Sequence, residues 1–419
     1  MASNAVVIGE GPGAEIAAAA LVRLGRNVTL LRAGSGYPHR DIPVGRGVTT
    51  RPGDFAAAIL GPFREVASAA DGGLDRGLLL GGKVRALPLS RAEVAALFPA
   101  TRMAGAGVAW ARTRGTLELK KLIGGGSEQR TYRDWIAQRF GQPAFERLHA
   151  EYCRKRFGDP ADVSCNVARL FHGAPDDSVR WVPAGAARLE GVTVRDGVTV
   201  QSIRGDRVST DAGEFEGQVF VAVAPTDVVR WLDSSVAMAL ENDVASLGVR
   251  DAVQVLVRGP QRLPFETHVL DGDVPFYRIV RPGVVSAPLG GTLAVHYSLA
   301  PSEPDPAPDT VVADLARVGV EGAEAAGARV QRVPGQHPVW VGTHLARMRR
   351  YVLALEELGI VPVGRPGLHS PIGLAEEIAY VEAAAAEDRP SLRELLRVHA
   401  EPPVMDPVER ARLTEFVAR

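Results

Sequence analysis

The stretch 6–31, VVIGEGPGAEIAAAALVRLGRNVTLL, is compatible with very few folds. Ala5–Ile8 reads as a short apolar strand, Gly9–Gly13 as a tight turn, Glu15–Leu24 as an alanine-rich helix stopped by Gly25, and Val28–Leu31 as a second strand. A strand, a crossover helix and a parallel strand in so short a span wind right-handed, and the spacing Gly9-x-Gly11-x-x-Ala14 falls where strand gives way to helix. Gly9 permits the sharp turn, Gly11 lets a pyrophosphate approach the backbone, and Ala14 is small enough for close helix–strand packing. With Pro12 and Gly13 between them, the free amides at the helix start would face phosphate. The expected unit is a Rossmann-like dinucleotide-binding α/β layer.

A chain of 419 residues can bury two cores, and a 46% hydrophobic content excludes disorder. Its net charge of −1 gives no electrostatic case for nucleic acid, so the expected partner is a small molecule, with a second copy or a protein partner left open. Cys153 and Cys165 are the only cysteines, too few for a disulfide framework or a thiolate zinc site. No apolar run reaches membrane-spanning length, and the N-terminus lacks the basic head and apolar core of a signal peptide. The expectation is a soluble, cytoplasmic protein.

Farther along, TYRDWIAQRF at 131–140 has Thr131 as N-cap, Asp134 three residues on, and Gly141 as a stop. A second helix starts at Pro143 and ends before Gly158. Short alternating strands with Asp-Gly and Gly-Asp turns fill 192–224, more strands follow over 252–299, and APSEPDPAPDT at 300–310 reads as a loop.

Taken together these blocks resemble the flavin amine oxidase superfamily, on its protoporphyrinogen oxidase and UDP-galactopyranose mutase-like branch. The opening stretch is similar to the family's FAD-binding start, and LLLGGKVRALPLS at 78–90 to the strand pair that begins its substrate domain. The most specific likeness is YRDWIAQRFGQPAFERLHAEYCRKRFGDPADVSCNVARL at 132–170. GVTVQSIRGDRVSTDAGEFEGQVFVAVAP resembles the strands returning to the nucleotide domain, where the backbone at Val200 would meet adenine. VPVGRPGLHSPIGLAEEIAYVEAAA at 361–385 resembles the closing segment, in which Gly364 and Arg365 would stand at the flavin side. The resemblance implies a discontinuous FAD-type domain (1–75, 185–235 and 346–400) interleaved with a mixed-sheet and helical substrate domain (76–184 and 236–345), followed by a tail at 401–419.

Several cofactor contacts of that family are altered. Arg32 ends the second strand, where an acidic side chain normally accepts from the ribose hydroxyls, and a guanidinium has no acceptor. Glu10 stands in the turn beside the expected pyrophosphate, AGSGYPHRDIP replaces a glycine pair after the second strand, and Ala375 replaces the acidic residue before the last helix. Arg32 could pair with Glu10 or a nearby acid as a surface bridge, or receive a 2′-phosphate as in NADP enzymes. Two functions stay open: an FAD-dependent oxidoreductase acting on a small molecule, and a flavin-free descendant serving as a scaffold or non-redox enzyme. On the charge explanation, Glu10→Ala with Arg32→Glu should restore FAD affinity.

PFYR at 275–278 supplies the substrate-facing candidates Phe276, Tyr277 and Arg278, with no catalytic base assignable. His337 and His344 lack a third ligand in register and read as core or surface histidines rather than a metal site. Trp135, Phe140, Phe145 and Tyr152 read as core, Arg154-Lys155-Arg156 as a solvated helix face, and GGGSEQ at 124–129 as a loop.

Overall fold

The computed structural model describes residues 3–33, 63–66, 76–87, 131–165, 180–183, 189–282, 289–341 and 344–369, with single positions 93, 97, 167, 380, 381 and 384. The expectations placed on 34–43, 124–129, Ala375 and 401–419 lie outside the described residues.

The opening motif folds as β1 (Asn4–Gly9), α1 (Pro12–Arg23) and β2 (Asn27–Leu31). The helix begins three residues earlier than its alanine run suggests. Gly11, at φ 78°, breaks the strand, and Pro12 at the first helical positions is already set for helix. Gly13 to Leu21 of α1 are buried without interruption. A helix that is apolar all round, apart from Glu15, lies on a parallel sheet and under further protein.

Three more strands complete that sheet: β7 (Val192–Arg195), β11 (Gln218–Ala222) and β17 (Val361–Pro362), giving the order β17-β11-β1-β2-β7. Every pairing in it is parallel. One layer is therefore assembled from chain segments far apart in sequence. Its core also takes side chains from three helices, α4 (Pro225–Trp231), α5 (Ser234–Ala245) and α7 (His344–Glu357). Beside it β8 (Val200–Arg204), β9 (Arg207–Thr210) and β10 (Gly213–Glu216) form an antiparallel meander, and β3 (Phe63–Val66) pairs with β6 (Arg180–Pro183).

The second layer is a mixed seven-stranded sheet. It contains β4 (Arg76–Leu80), β5 (Lys83–Leu87), β12 (Gly248–Arg258), β13 (Glu266–Val269), β14 (Arg278–Val280), β15 (Thr292–Leu299) and β16 (Glu324–Val339), in the order β16-β12-β15-β14-β13-β4-β5. One face packs against α6 (Pro308–Arg317) through Val253, Val255, Val295, Val311 and Leu315. The other carries a cluster formed with α2 (Tyr132–Phe140) and α3 (Ala150–Arg156), centred on Tyr132, Trp135, Tyr152, Tyr277 and Trp340. Between α2 and α3 the chain makes a short helix, Gln142–Ala144, and a π-helical turn, Phe145–His149.

Thr131 caps α2 as its sequence indicates. Its hydroxyl accepts from the Asp134 N–H at 3.1 Å while Asp134 accepts from the Thr131 N–H at 3.2 Å. Thr131→Ala removes one arm of this box and should lower stability by about 1 kcal/mol, read as a shift in the urea midpoint. No shift would mean that Asp134 alone holds the helix start.

Candidate functional site

The glycines of the first turn are all accounted for by protein packing. A Cβ on Gly9 would stand 2.8 Å from the Ala222 carbonyl oxygen, one on Gly11 3.0 Å from Val333 Cγ1, and one on Gly13 2.9 Å from the Gly364 Cα. Gly364 opens the short helix α8 (Gly364–Gly367), and the Arg365 nitrogen is 3.8 Å from that same Gly13 position. Gly9, Gly11, Gly13 and Ala14 are buried, and Pro12 is half-buried. The room Gly11 leaves open is faced by the 333–336 segment of β16, with Gln336 Nε2 3.8 Å away. Asp251, itself buried, pins this segment by accepting from the Gly335 N–H at 2.9 Å and from Arg332 Nη1 at 2.7 Å.

At the end of β2, Arg32 is 3% exposed, which corrects the surface-bridge expectation. Its Nη1 lies 3.2 Å from Glu15 Oε1, on the first turn of α1, and its Nε 2.5 Å from Asp196 Oδ1. Its backbone is tied to the same neighbourhood, donating to the Arg195 carbonyl and accepting from the Val198 N–H. The charge meant for a 2′-phosphate is thus already matched by two carboxylates. The side chain at residue 32 offers no acceptor for ribose hydroxyls. The double change Glu10→Ala, Arg32→Glu also fails on these contacts, because it would set three carboxylates side by side.

Val200 lies in the separate meander, opposite Thr210 and next to a register shift. Phe276 is a correction: it is fully buried in the core on the α6 face, edge-on to Tyr297 at 5.8 Å, so it walls no site. Tyr277 turns to the opposite face, where it meets Tyr152 at 5.9 Å and His337 at 5.9 Å. Two further corrections concern the helices. Lys155 is buried, its Nζ donating to the Val269 and Asp271 carbonyls, and Arg156 lies 5.2 Å from the centre of the Tyr277 ring, leaving Arg154 as the solvated member of the basic run. Phe140 is 42% exposed, while Trp135, Phe145 and Tyr152 are core.

Arg278 belongs to a feature that spans the mixed sheet. Arg85, Leu78, His268, Arg278, His296, Gln254 and Gln331 are successive cross-strand partners from β5 to β16. Directly paired residues share a face, so these side chains form one line. Gln254, Gln331 and His296 are each about 95% buried. Both amide atoms of Gln254 and of Gln331, Nε2 of His296 and Nε of Arg278 make no hydrogen bond. Unpaired buried groups cost roughly 1–3 kcal/mol each, so the line together would consume most of a typical stability of about 5–15 kcal/mol. Buried polar atoms in folded proteins are nearly always hydrogen-bonded, so this line stands out as a place for a partner.

The electrostatics of the line are set by burial and by guanidiniums. Arg278 Nη1 bonds Glu266 Oε1 at 3.1 Å, and Arg76 Nε is 3.5 Å from Glu266 Oε2. Burial alone would raise the Glu266 carboxyl, but His268, Arg278 and Arg76 hold it at about 2. Burial lowers His268 to about 4, so above that pH the two arginines are what act. His296 and His337 are held well below the usual imidazole range, by burial first and then by nearby arginines. Arg278 Nη2 is 3.4 Å from His296 Nδ1. A guanidinium only donates, so Nδ1 accepts and the proton of the neutral ring is assigned to Nε2, which becomes a donor.

His337 and His344 are both buried, and among the described residues no group of three ligating side chains could hold a metal ion. His344 stacks on Trp340 at 4.5 Å, and Trp340 Nε1 donates to the His369 carbonyl at 2.6 Å. The residues missed in the sequence had one visible signal: Gln254 and His296 interrupt apolar strands, and Glu15 interrupts an apolar helix. Among the described residues no helix is long and apolar enough to cross a membrane.

No family model matches the sequence, and no curated protein matches it significantly. Solved structures do share its fold. Reduced UDP-galactopyranose mutase aligns with a TM-score of 0.70 at 13% identity, over 96% of this chain and 97% of that one. A provisionally named protoporphyrinogen oxidase from Exiguobacterium sp. 255-15 aligns with a TM-score of 0.57 at 16% identity, over 92% and 99%. Cyclohexylamine oxidase from Brevibacterium oxydans IH-35A aligns with a TM-score of 0.56 at 15% identity, over 93% and 99%. The chain therefore has the α/β fold of flavin amine oxidase superfamily members, a parallel Rossmann-like sheet with a mixed sheet beside it.

Two outcomes are expected from this geometry. Arg32→Met takes away the guanidinium 3.2 Å from the buried Glu15 carboxylate and should cost roughly 3–5 kcal/mol, whereas Glu15→Leu with Arg32→Met should recover most of that loss; denaturant unfolding of both variants checks it. Second, His268, His296, His337 and His369 all have folded-state values below the ordinary 6.5, the last at about 3. Their contribution is complete above pH 6.5 and is lost as pH falls, at about 1.4 kcal/mol per histidine per pH unit. Urea midpoints should fall steeply between pH 6.5 and 4.5, and a flat profile there would contradict the burial of neutral imidazoles.

Proposed function

We propose that this chain binds a small polar molecule between its two layers and works without FAD, as a binding protein or as an enzyme of non-redox chemistry. The observation that carries this is the buried Arg32–Glu15 ion pair at the end of β2. The resembled family places a ribose acceptor there, and this chain places a guanidinium already engaged by two carboxylates. Val333 and Gln336 facing Gly11 support the same conclusion, because they stand on the side from which a pyrophosphate would approach. The glycine motif does not argue against it, since packing against Ala222, Val333 and Gly364 requires small residues with or without a nucleotide.

FAD, where it is bound, supplies electron or hydride transfer. The chain's own residues supply a neutral, hydrogen-bonding sheet face with guanidiniums at its edge. A cytoplasmic location fits two buried cysteines that are not bonded to each other. The alternative, an FAD-dependent oxidoreductase acting on a small molecule, is favoured by the turn at Gly9–Ala14 and by Gly364 and Arg365 approaching it.

Purified protein should be colourless and should show no saturable quenching of FAD fluorescence. Glu15→Ala with Arg32→Glu and Asp196→Asn restores a carboxylate at the end of β2 without either carboxylate that now faces residue 32. That triple variant should bind FAD at least tenfold more tightly than wild type, a gain of about 1.4 kcal/mol. Stoichiometric FAD in the wild-type protein as purified would overturn the proposal.

A further inference from the structure

The polar line across the mixed sheet has a direction. Toward β5 the His268 side chain is 24% exposed, Arg278 next to it is 12% exposed, and His296, Gln254 and Gln331 toward β16 are almost wholly enclosed. It thus runs inward from an accessible edge. Tyr152, Tyr277 and Arg156 stand over its outer part, with Tyr152 edge-on to His268 at 5.5 Å.

The unmet hydrogen-bonding capacity has a definite composition. Donors are the two glutamine amides, the Nε2–H of His296 and the Nε–H of Arg278, and acceptors are the two glutamine carbonyls. Donors outnumber acceptors. Charge follows the same sense, because Arg278, Arg76 and Arg156 stand against Glu266. A molecule that satisfies all of these atoms carries an anionic group for the Arg278–His296 pair and hydroxyls, which both donate and accept, for the glutamines.

We infer that Arg278, His296, Gln254 and Gln331 form a binding site for a small hydroxylated carboxylate, its carboxylate at Arg278 and His296 and its hydroxyls at the two glutamines. This rests on the reading that the chain binds a small polar molecule, but it does not require that FAD be absent.

Isothermal titration of the full chain with gluconate, sorbitol and acetate separates the components, since sorbitol lacks the charge and acetate lacks the hydroxyl chain. Gluconate should bind at least tenfold more tightly than either. Gln254→Leu and Gln331→Leu should each weaken gluconate at least tenfold while raising the Tm of the ligand-free protein by roughly 2 °C, because each deletes two unpaired buried atoms. A lower Tm in both variants would show that the glutamines serve packing, and would overturn the site. Equal binding of gluconate and sorbitol, or no gluconate binding despite raised Tm values, would overturn the ligand class. A flavin band in the same preparations would sink the flavin-free proposal while leaving these titrations to decide the site separately.

Discussion

Backbone touches backbone where α1 and α8 begin. Gly13 and Gly364 have no side chains to hold the two helix starts apart, and a Cβ on either would come within 3.0 Å of the other's Cα. That approach fixes α8 against α1 beside the carboxyl end of β11, where the Val363 N–H donates to the Val221 carbonyl. The rest of the architecture is set from there. The 333–336 segment passes over the first turn, with Gly335 close to Ala224 and Pro366, and β16 then continues into the mixed sheet. Strand β16 thus touches both the first turn of the parallel layer and the mixed sheet.

The same contacts explain how a nucleotide-type motif can outlive nucleotide binding. Gly9, Gly11 and Gly13 answer to Ala222, Val333 and Gly364 respectively, so removing a ligand relaxes none of the steric demands upon them. The residue at the end of β2 is under a different constraint. Its side chain has to match whatever charge α1 presents, and here α1 presents Glu15. Position 32 reports the charge that the first turn of α1 presents, which a glycine pattern cannot report.

Much of the framework was legible before any coordinates. The β1–α1–β2 unit, the Thr131 cap, the strand-rich stretches and the fold all follow from periodicity, turn residues and family likeness. What remained hidden depends on which way a side chain points. Phe276 and Tyr277 are neighbours in sequence yet enter cores on opposite faces of the sheet. Lys155 is part of a basic run, but its nitrogen ends at two carbonyls, one on the last residue of β13 and one just beyond it. The polar line is the strongest case, because His268, Arg278, His296, Gln254 and Gln331 become neighbours through strand pairing alone, with strand order unrelated to chain order.

The π-helical turn at Phe145–His149 sets where the helical wall faces. Its closing bond runs from the Ala150 N–H to the Phe145 carbonyl, one residue longer than an α-helical bond. Each residue of an α-helix turns the chain by about 100°, so the added residue rotates all of α3 by that angle relative to the helix before it. Tyr152 and Arg156 meet Tyr277 because of this rotation. Deleting a single residue from the turn would swing both away from the sheet without touching any residue of the sheet itself. Insertions and deletions there act as a phase control on which side chains α3 turns toward the mixed sheet.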